Sequence, residues 1–201
     1  EDGATLNIEA GTVVKGNPGQ EHDASALVIC KGAKIMAEGT ANNPIIFTAA
    51  ADDPHDLTDL PMTETGQWGG IIILGKAQTN NPGGTGQIEG ISELEPRGEY
   101  GMAPGEHIND DNSGVLRYVS IRHGGTDIGD GNEINGLTMG AVGNGTTIDH
   151  VEVWYNADDG FEWFGGTVNT SHLISAFNKD DSFDYDQGFN GRGQFWFSIQ
   201  A

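Results

Sequence analysis

The chain is short of basic residues. Nine Lys and Arg stand against 30 Asp and Glu, leaving a net charge of −21 in 201 residues. Binding to nucleic acid needs Lys and Arg to neutralise phosphates, so that class of partner is excluded, as is an anionic membrane surface. The acidic surplus favours cations, basic partners or a saline medium that screens self-repulsion. Cysteine is nearly missing: Cys30 is alone, so no internal disulfide forms. A single Cys fits an exported bacterial protein as well as a cytosolic one. Long apolar runs are missing too. The longest, Ile71-Ile72-Ile73-Leu74, is far too short to span a bilayer, so no membrane span is expected. The chain opens on Glu1-Asp2-Gly3 with no signal peptide, and a processed or trimmed N-terminus is expected. Helix patterning is almost absent. No stretch of a dozen residues carries apolar residues at i, i+3, i+4 and i+7 without a Gly or Pro break.

What is present is glycine, 32 residues with no G-X-Y period, and short alternating apolar segments between Gly, Asn and Asp. His150-Val151-Glu152-Val153-Trp154-Tyr155-Asn156-Ala157-Asp158-Asp159-Gly160-Phe161-Glu162-Trp163 recurs at an offset of 22 as His172-Leu173-Ile174-Ser175-Ala176-Phe177-Asn178-Lys179-Asp180-Asp181-Ser182-Phe183-Asp184-Tyr185. An N-terminal echo pairs Leu6–Val14 with Leu27–Ile35 at an offset of 21. A fixed period of this size means stacked supersecondary units. Three short strands and three turns fill 21–22 residues, whereas Asn-Gly or Asp-Gly hairpin turns between matched strands are scarce. The expectation is all-β: a right-handed parallel β-helix, a single domain over residues 1–201 with about seven rungs. Residues 51–66 and 92–113, rich in Asp and Pro, break the period and read as inserted side loops. Stacked coils should place Phe161 over Phe183, His150 over His172 and Leu6 over Leu27.

Three segments carry a family likeness. They are Gly32-Ala33-Lys34-Ile35-Met36-Ala37-Glu38-Gly39-Thr40 with Pro44-Ile45-Ile46-Phe47-Thr48, then Trp68-Gly69-Gly70-Ile71-Ile72-Ile73-Leu74-Gly75, then Arg117–Gly125 through Glu133-Ile134-Asn135-Gly136-Leu137. With the Asp-Asp-Gly-Phe-Glu-Trp coil they resemble secreted or lipid-anchored right-handed β-helix proteins common in Bacteroidota, which often carry a sorting domain for the type IX secretion route. The resemblance implies export, to the outer cell surface or beyond, and a β-helix. It supplies no functional residue. The chain has no lipobox Cys and no sorting domain, and it stops within strand-like Phe195–Ile199. A fragment of a longer chain, or an open end that something else covers, is therefore expected.

The 22-residue echo sets acid on acid. Alternation puts Phe161 and Trp163 on one strand face and Glu162 on the other; Phe183 and Tyr185 oppose Asp184 likewise. Stacking in register sets Asp158 by Asp180, Asp159 by Asp181 and Glu162 by Asp184. Like charges one strand apart repel by roughly 3–4 kcal/mol at an effective dielectric of 20. Oxygen ligands without His or Cys suit Ca²⁺, so these six residues are the candidate metal ligands. The ordinary alternative is a repeated set of Asx-turns. A third reading is catalysis, since an Asp-Asp pair on a β-helix resembles polygalacturonase-type glycosidases; their Gly-His-Gly and Arg-x-Lys elements are missing here. His150 and His172 could bind a transition metal or form a half-buried ladder. The segment Asp127–Glu133 has the composition of a Ca²⁺ loop without EF-hand spacing. Trp68, Trp154 and Trp196 would make a sugar platform if exposed.

Two functions follow as expectations. The first is an extracellular structural or binding module of the cell surface, Ca²⁺-stabilised and self-assembling end to end into a homo-oligomer or filament. The second is a polysaccharide-active enzyme, glycosidase or lyase, using carboxylates on the flank.

Overall fold

The computed structural model describes residues 2–56, 58–129 and 132–200. No α-helix occurs among them; two 3₁₀ turns, Glu21–Asp23 and Pro96–Gly98, interrupt the strands. The larger sheet holds β1 (Thr5–Ile8), β2 (Val13–Gly16), β4 (Lys34–Glu38), β5 (Ile45–Ala49), β9 (Gly114–Arg122), β13 (Thr147–Trp154), β15 (Thr170–Ala176) and β17 (Gly193–Ile199). The smaller holds β3 (Leu27–Ile29), β6 (Ile71–Leu74), β12 (Leu137–Gly140), β14 (Phe161–Phe164) and β16 (Phe183–Asp186). Every pairing in both sheets is parallel, in the orders β1-β4-β9-β13-β15-β17 and β16-β14-β12-β6-β3. From β6 onward the coil strands alternate between the two parallel sheets, as in a β-helix; before it, β1 and β2, and then β4 and β5, follow one another in the larger sheet. The stack is six strands deep along the larger sheet, against the seven rungs expected.

The echo that begins at His150 is a true coil step. Phe161 pairs with Phe183, Glu162 with Asp184, and Val151 with Leu173. The N-terminal echo is not. Leu6 pairs with Ile35 in the larger sheet, whereas Leu27 belongs to the smaller sheet and pairs with Ile71. The two segments share one grammar, alternating apolar residues and then a Gly turn. The first coil, however, spends residues 17–26 on an extra turn, so Thr5 finds its partner only at Lys34.

Inward-facing side chains fill the solenoid: Ile35, Phe47, Ile71, Ile73, Leu116, Leu137, Met139, Phe161, Trp163 and Leu173 are fully buried. The smaller sheet is buried on its outer face as well. After Leu74 the chain leaves the coil and rejoins at Gly114, a wider excursion than the 92–113 read from sequence. This insert carries the antiparallel pair β7 (Thr85–Gln87) and β8 (Glu99–Gly101). Its Ile88 and Tyr100 pack with Ile72, Leu74, Ala141 and Phe164 into a second apolar cluster. Burial on both faces explains why β6 reads as four consecutive apolar residues rather than an alternation. One more antiparallel pair, β10 (Asp127–Gly129) with β11 (Asn132–Glu133), joins the acids Asp127 and Glu133. Asp130 and Gly131 of that suspected Ca²⁺ loop lie outside the described residues.

Candidate cation site

Strand alternation in β14 puts Phe161 and Trp163 into the core and Glu162 outward, as expected. Outward does not mean solvated here. Glu162 is 8% exposed, because the insert lies over it. Along this outer face the positions opposite one another are Ile72, Thr138, Glu162 and Asp184, running from apolar through hydroxyl to acid. Asn135 sits just before β12, at the place Asp159 takes in the next coil. Its side-chain amide donates to Glu162 Oε2, and to Glu89 Oε1 at 3.1 Å. Glu89, carried by the insert, also shares a hydrogen bond with Glu162, which requires a proton between the two carboxyl groups.

The turn before β14 completes the ladder. Asp159, 8% exposed, accepts the backbone N–H of Asp181 at 2.8 Å. Asn156, fully buried, donates to the carbonyls of Ile134 and Asp159 and accepts nothing at Oδ1, while the Asn178 Oδ1 beside it takes the Asn156 N–H. These amides rigidify the turn. Asp158, Asp159 and Asp180 each bring an oxygen within 4.8 Å of the others, and so do Asp159, Glu162 and Asp184. Asp181 contributes its main chain, and its residue is exposed. So five of the six predicted ligands fall into two overlapping triads that share Asp159.

The electrostatics match that crowding. Burial first, then the charges of Glu89 and Glu133, raises Asp158 to about 6. Burial, opposed by the Asp181 N–H and reinforced by Asp158 and Asp184, raises Asp159 to about 7. Burial together with Glu89, Asp159 and Asp184 raises Glu162 to about 9. No ion pair among the described residues reaches this ladder. Five of the nine basic side chains pair elsewhere, as Lys31–Glu99, Lys76–Asp2, Arg97–Glu95, Arg117–Asp149 and Arg122–Glu152. An all-oxygen donor set with clustered negative charge and no basic partner fits a hard divalent cation of the Ca²⁺ class.

The other sequence candidates fall into place around it. Rings of His150 and His172 stack with centroids 4.2 Å apart. Trp68 is buried with its indole N–H on the Arg122 carbonyl, and Trp196 stacks on Trp163 at 5.2 Å, so the three tryptophans form no platform. Sequence reading missed Glu89 and Asn135. Glu89 is remote in sequence from its partner Glu162 and lies inside an aperiodic insert. Asn135 did carry a signal, since it occupies the ladder position one coil early.

With the fold and the ladder placed, comparison with known proteins sets the family. A family model described as a pectate-lyase-like beta helix domain matches residues 1–201. The chain belongs to that family. No curated protein and no solved structure matches it. Its described residues form a parallel β-helix, which fits a surface or polysaccharide-related module. No helix among the described residues is long and apolar enough to cross a membrane.

Proposed function

We infer that this domain is an extracellular, surface-type structural and binding module whose insert is clamped to the solenoid by a divalent cation of the Ca²⁺ class. The observation that supports it is the carboxylate ladder itself. Glu89, Asp158, Asp159, Glu162, Asp180 and Asp184 converge at strand spacing without a Lys or Arg among them. A proton relieves one charge of that cluster, and a divalent cation offsets two while bonding Glu89 of the insert to the ladder. Outside cells Ca²⁺ is available to a site of this kind, which is consistent with the exported placement that the sequence resemblance implies. Apolar surfaces support an assembling role: the first coil opens as an apolar mouth of about 580 Å³ around Leu6, Ile8, Val14, Leu27 and Phe47. On the outer flank of β17, Phe195 and Phe197 are exposed beside Ile174.

The test is thermal unfolding at pH 7.5 with chelator and then with Ca²⁺. At about 100-fold excess over Kd, binding to the native state alone adds about 2.7 kcal/mol, or about 5–10 °C in Tm for a chain of this length. Asp159→Asn should abolish the response. A wild-type Tm indifferent to chelator and Ca²⁺ would leave the Asp residues as turn caps.

A second reading, the polysaccharide-active enzyme, draws on one observation. Glu162 stays protonated at neutral pH within a cluster of carboxylates, as a general acid must. Against it, no basic residue pairs with the ladder, and the pockets that stand out on the surface are not lined by these acids. Release of reducing or unsaturated ends from acidic and neutral polysaccharides, lost in Glu162→Gln, would reverse the preference.

A further inference from the structure

We propose that Asp149, His150 and His172, on the outer face of the larger sheet, form a transition-metal site of the Zn²⁺ type, separate from the carboxylate ladder. The site originates in a backbone irregularity. His150 has φ of 53° and is skipped by the ladder, which pairs Asp149 with Ser171 and then Val151 with Leu173. This left-handed bend is matched in the neighbouring strands, so the register is kept; it turns two successive side chains to the same side, and Asp149 and His150 both face outward between buried Ile148 and Val151. His172 repeats the bend one coil on, with φ of 53°.

Three donors are gathered there, each with an atom within 4.8 Å of the others. Asp149 Oδ1 is 3.0 Å from His150 Nδ1 and 3.0 Å from His172 Nδ1. The His172 contact has hydrogen-bond geometry, and a tetrahedral ion with bonds of about 2.1 Å would spread adjacent donors only slightly further, to about 3.4 Å. The other contacts position the carboxylate: Ser171 Oγ donates to Oδ1 at 2.7 Å, and Arg117 Nε lies 3.4 Å from Oδ2. A second observation points to a missing occupant. His150 Nδ1 is buried and makes no aligned hydrogen bond, although the carboxylate is in reach. Buried nitrogens without a partner are uncommon, and an ion is one of the ordinary reasons.

Imidazole with carboxylate suits Zn²⁺, Ni²⁺ or Cu²⁺ rather than Ca²⁺. The two rings stack 16° from parallel, so their lone pairs run side by side. One ion can join both once His172, the more exposed ring, swings out of the stack. The remaining coordination positions then face a trough of about 490 Å³ bordered by Tyr118, Ile174 and Phe195.

The experiment uses the whole chain in excess Ca²⁺, which occupies oxygen-only sites. Zn²⁺ is titrated by calorimetry, and Co²⁺ by its visible absorption. One ion per chain is expected, with Co²⁺ bands of nitrogen ligation. Affinity should fall at least about tenfold in His172→Gln and in Asp149→Asn. His150→Asn should do the same, as Asn tolerates the left-handed backbone. If that variant fails to fold, the exposed His172→Gln decides alone. Wild-type protein that takes up no Zn²⁺, or a His172→Gln variant that binds as tightly as wild type, overturns the site.

Discussion

Glu162 is a carboxyl group with no room for its charge. Its folded value of about 9, like the values near 7 for Asp159 and 6 for Asp158, lies above the roughly 4 of an unfolded chain. Between those limits the folded state holds more protons than the unfolded one, so stability declines as pH rises from about 4 towards 9. In chelator, the denaturation midpoint should therefore be highest near pH 5. It should fall steadily from there to pH 9. Glu162→Gln keeps an acceptor for Asn135 and a donor for Glu89 without a charge, and it should flatten that profile. A wild-type profile already flat from pH 5 to 9 would contradict the buried-acid account. Asp149 has the opposite sign. Burial alone would raise it, but hydrogen bonds from Ser171 and His172, with the His150 ring alongside, hold it at about 2, so its contribution is lost only as pH falls below about 4.

At the scale of elements, the insert from 75 to 113 turns an open flank into a covered one. Tyr100 is its anchor, 2% exposed, with its hydroxyl donating to Gln187 Oε1 at 2.8 Å. Tyr100→Phe should cost about 0.5–1.5 kcal/mol, the worth of one hydrogen bond. Tyr100→Ala should cost about 3–5 kcal/mol and expose the insert to limited proteolysis while the coils stay protected. Equal protection of the insert in both variants would show that Tyr100 does not anchor it. The same insert marks the boundary of what sequence could disclose. Coil-to-coil pairing from His150 to Tyr185 was legible because each position answers its own kind one coil on, aromatic to aromatic and acid to acid. The covering of Glu162 was not, since Glu89 and Tyr100 sit in a Gly-rich stretch with no period to align. Leu6 and Leu27 misled for the converse reason: they share a local strand-and-turn pattern, while an added turn sends them to different sheets. The aromatic column Tyr118–His150–His172–Phe195, with centroids 4.4, 4.2 and 4.8 Å apart, was half visible. Its first member, Tyr118, stands further from His150 along the chain than the echo step reaches.

At the scale of the molecule, charge and apolar surface oppose one another. A net charge of −21 repels copies from every side, while two apolar surfaces, the mouth around Leu6 and Phe47 and the outer flank of β17 with Phe195, Phe197 and Ile199, offer contacts between copies. Sedimentation should show monomers at low salt and concentration-dependent growth at about 0.15 M, where the screening length shrinks to about 8 Å. Phe197→Lys should restore the monomer; a wild-type species that stays monomeric at all concentrations in that salt would end the assembly reading. The left-handed bends at Tyr118, His150, His172 and Phe195 have a wider consequence, since each falls at the same place in its own coil with φ between 49° and 59°. Every one of these coils thus carries its own index mark. Alignment is reset at each turn instead of being inherited from the turn before, so a slip in one cannot propagate to the next. A scaffold counted out in this way tolerates growth by whole turns, and excursions as long as 75–113, without losing its place.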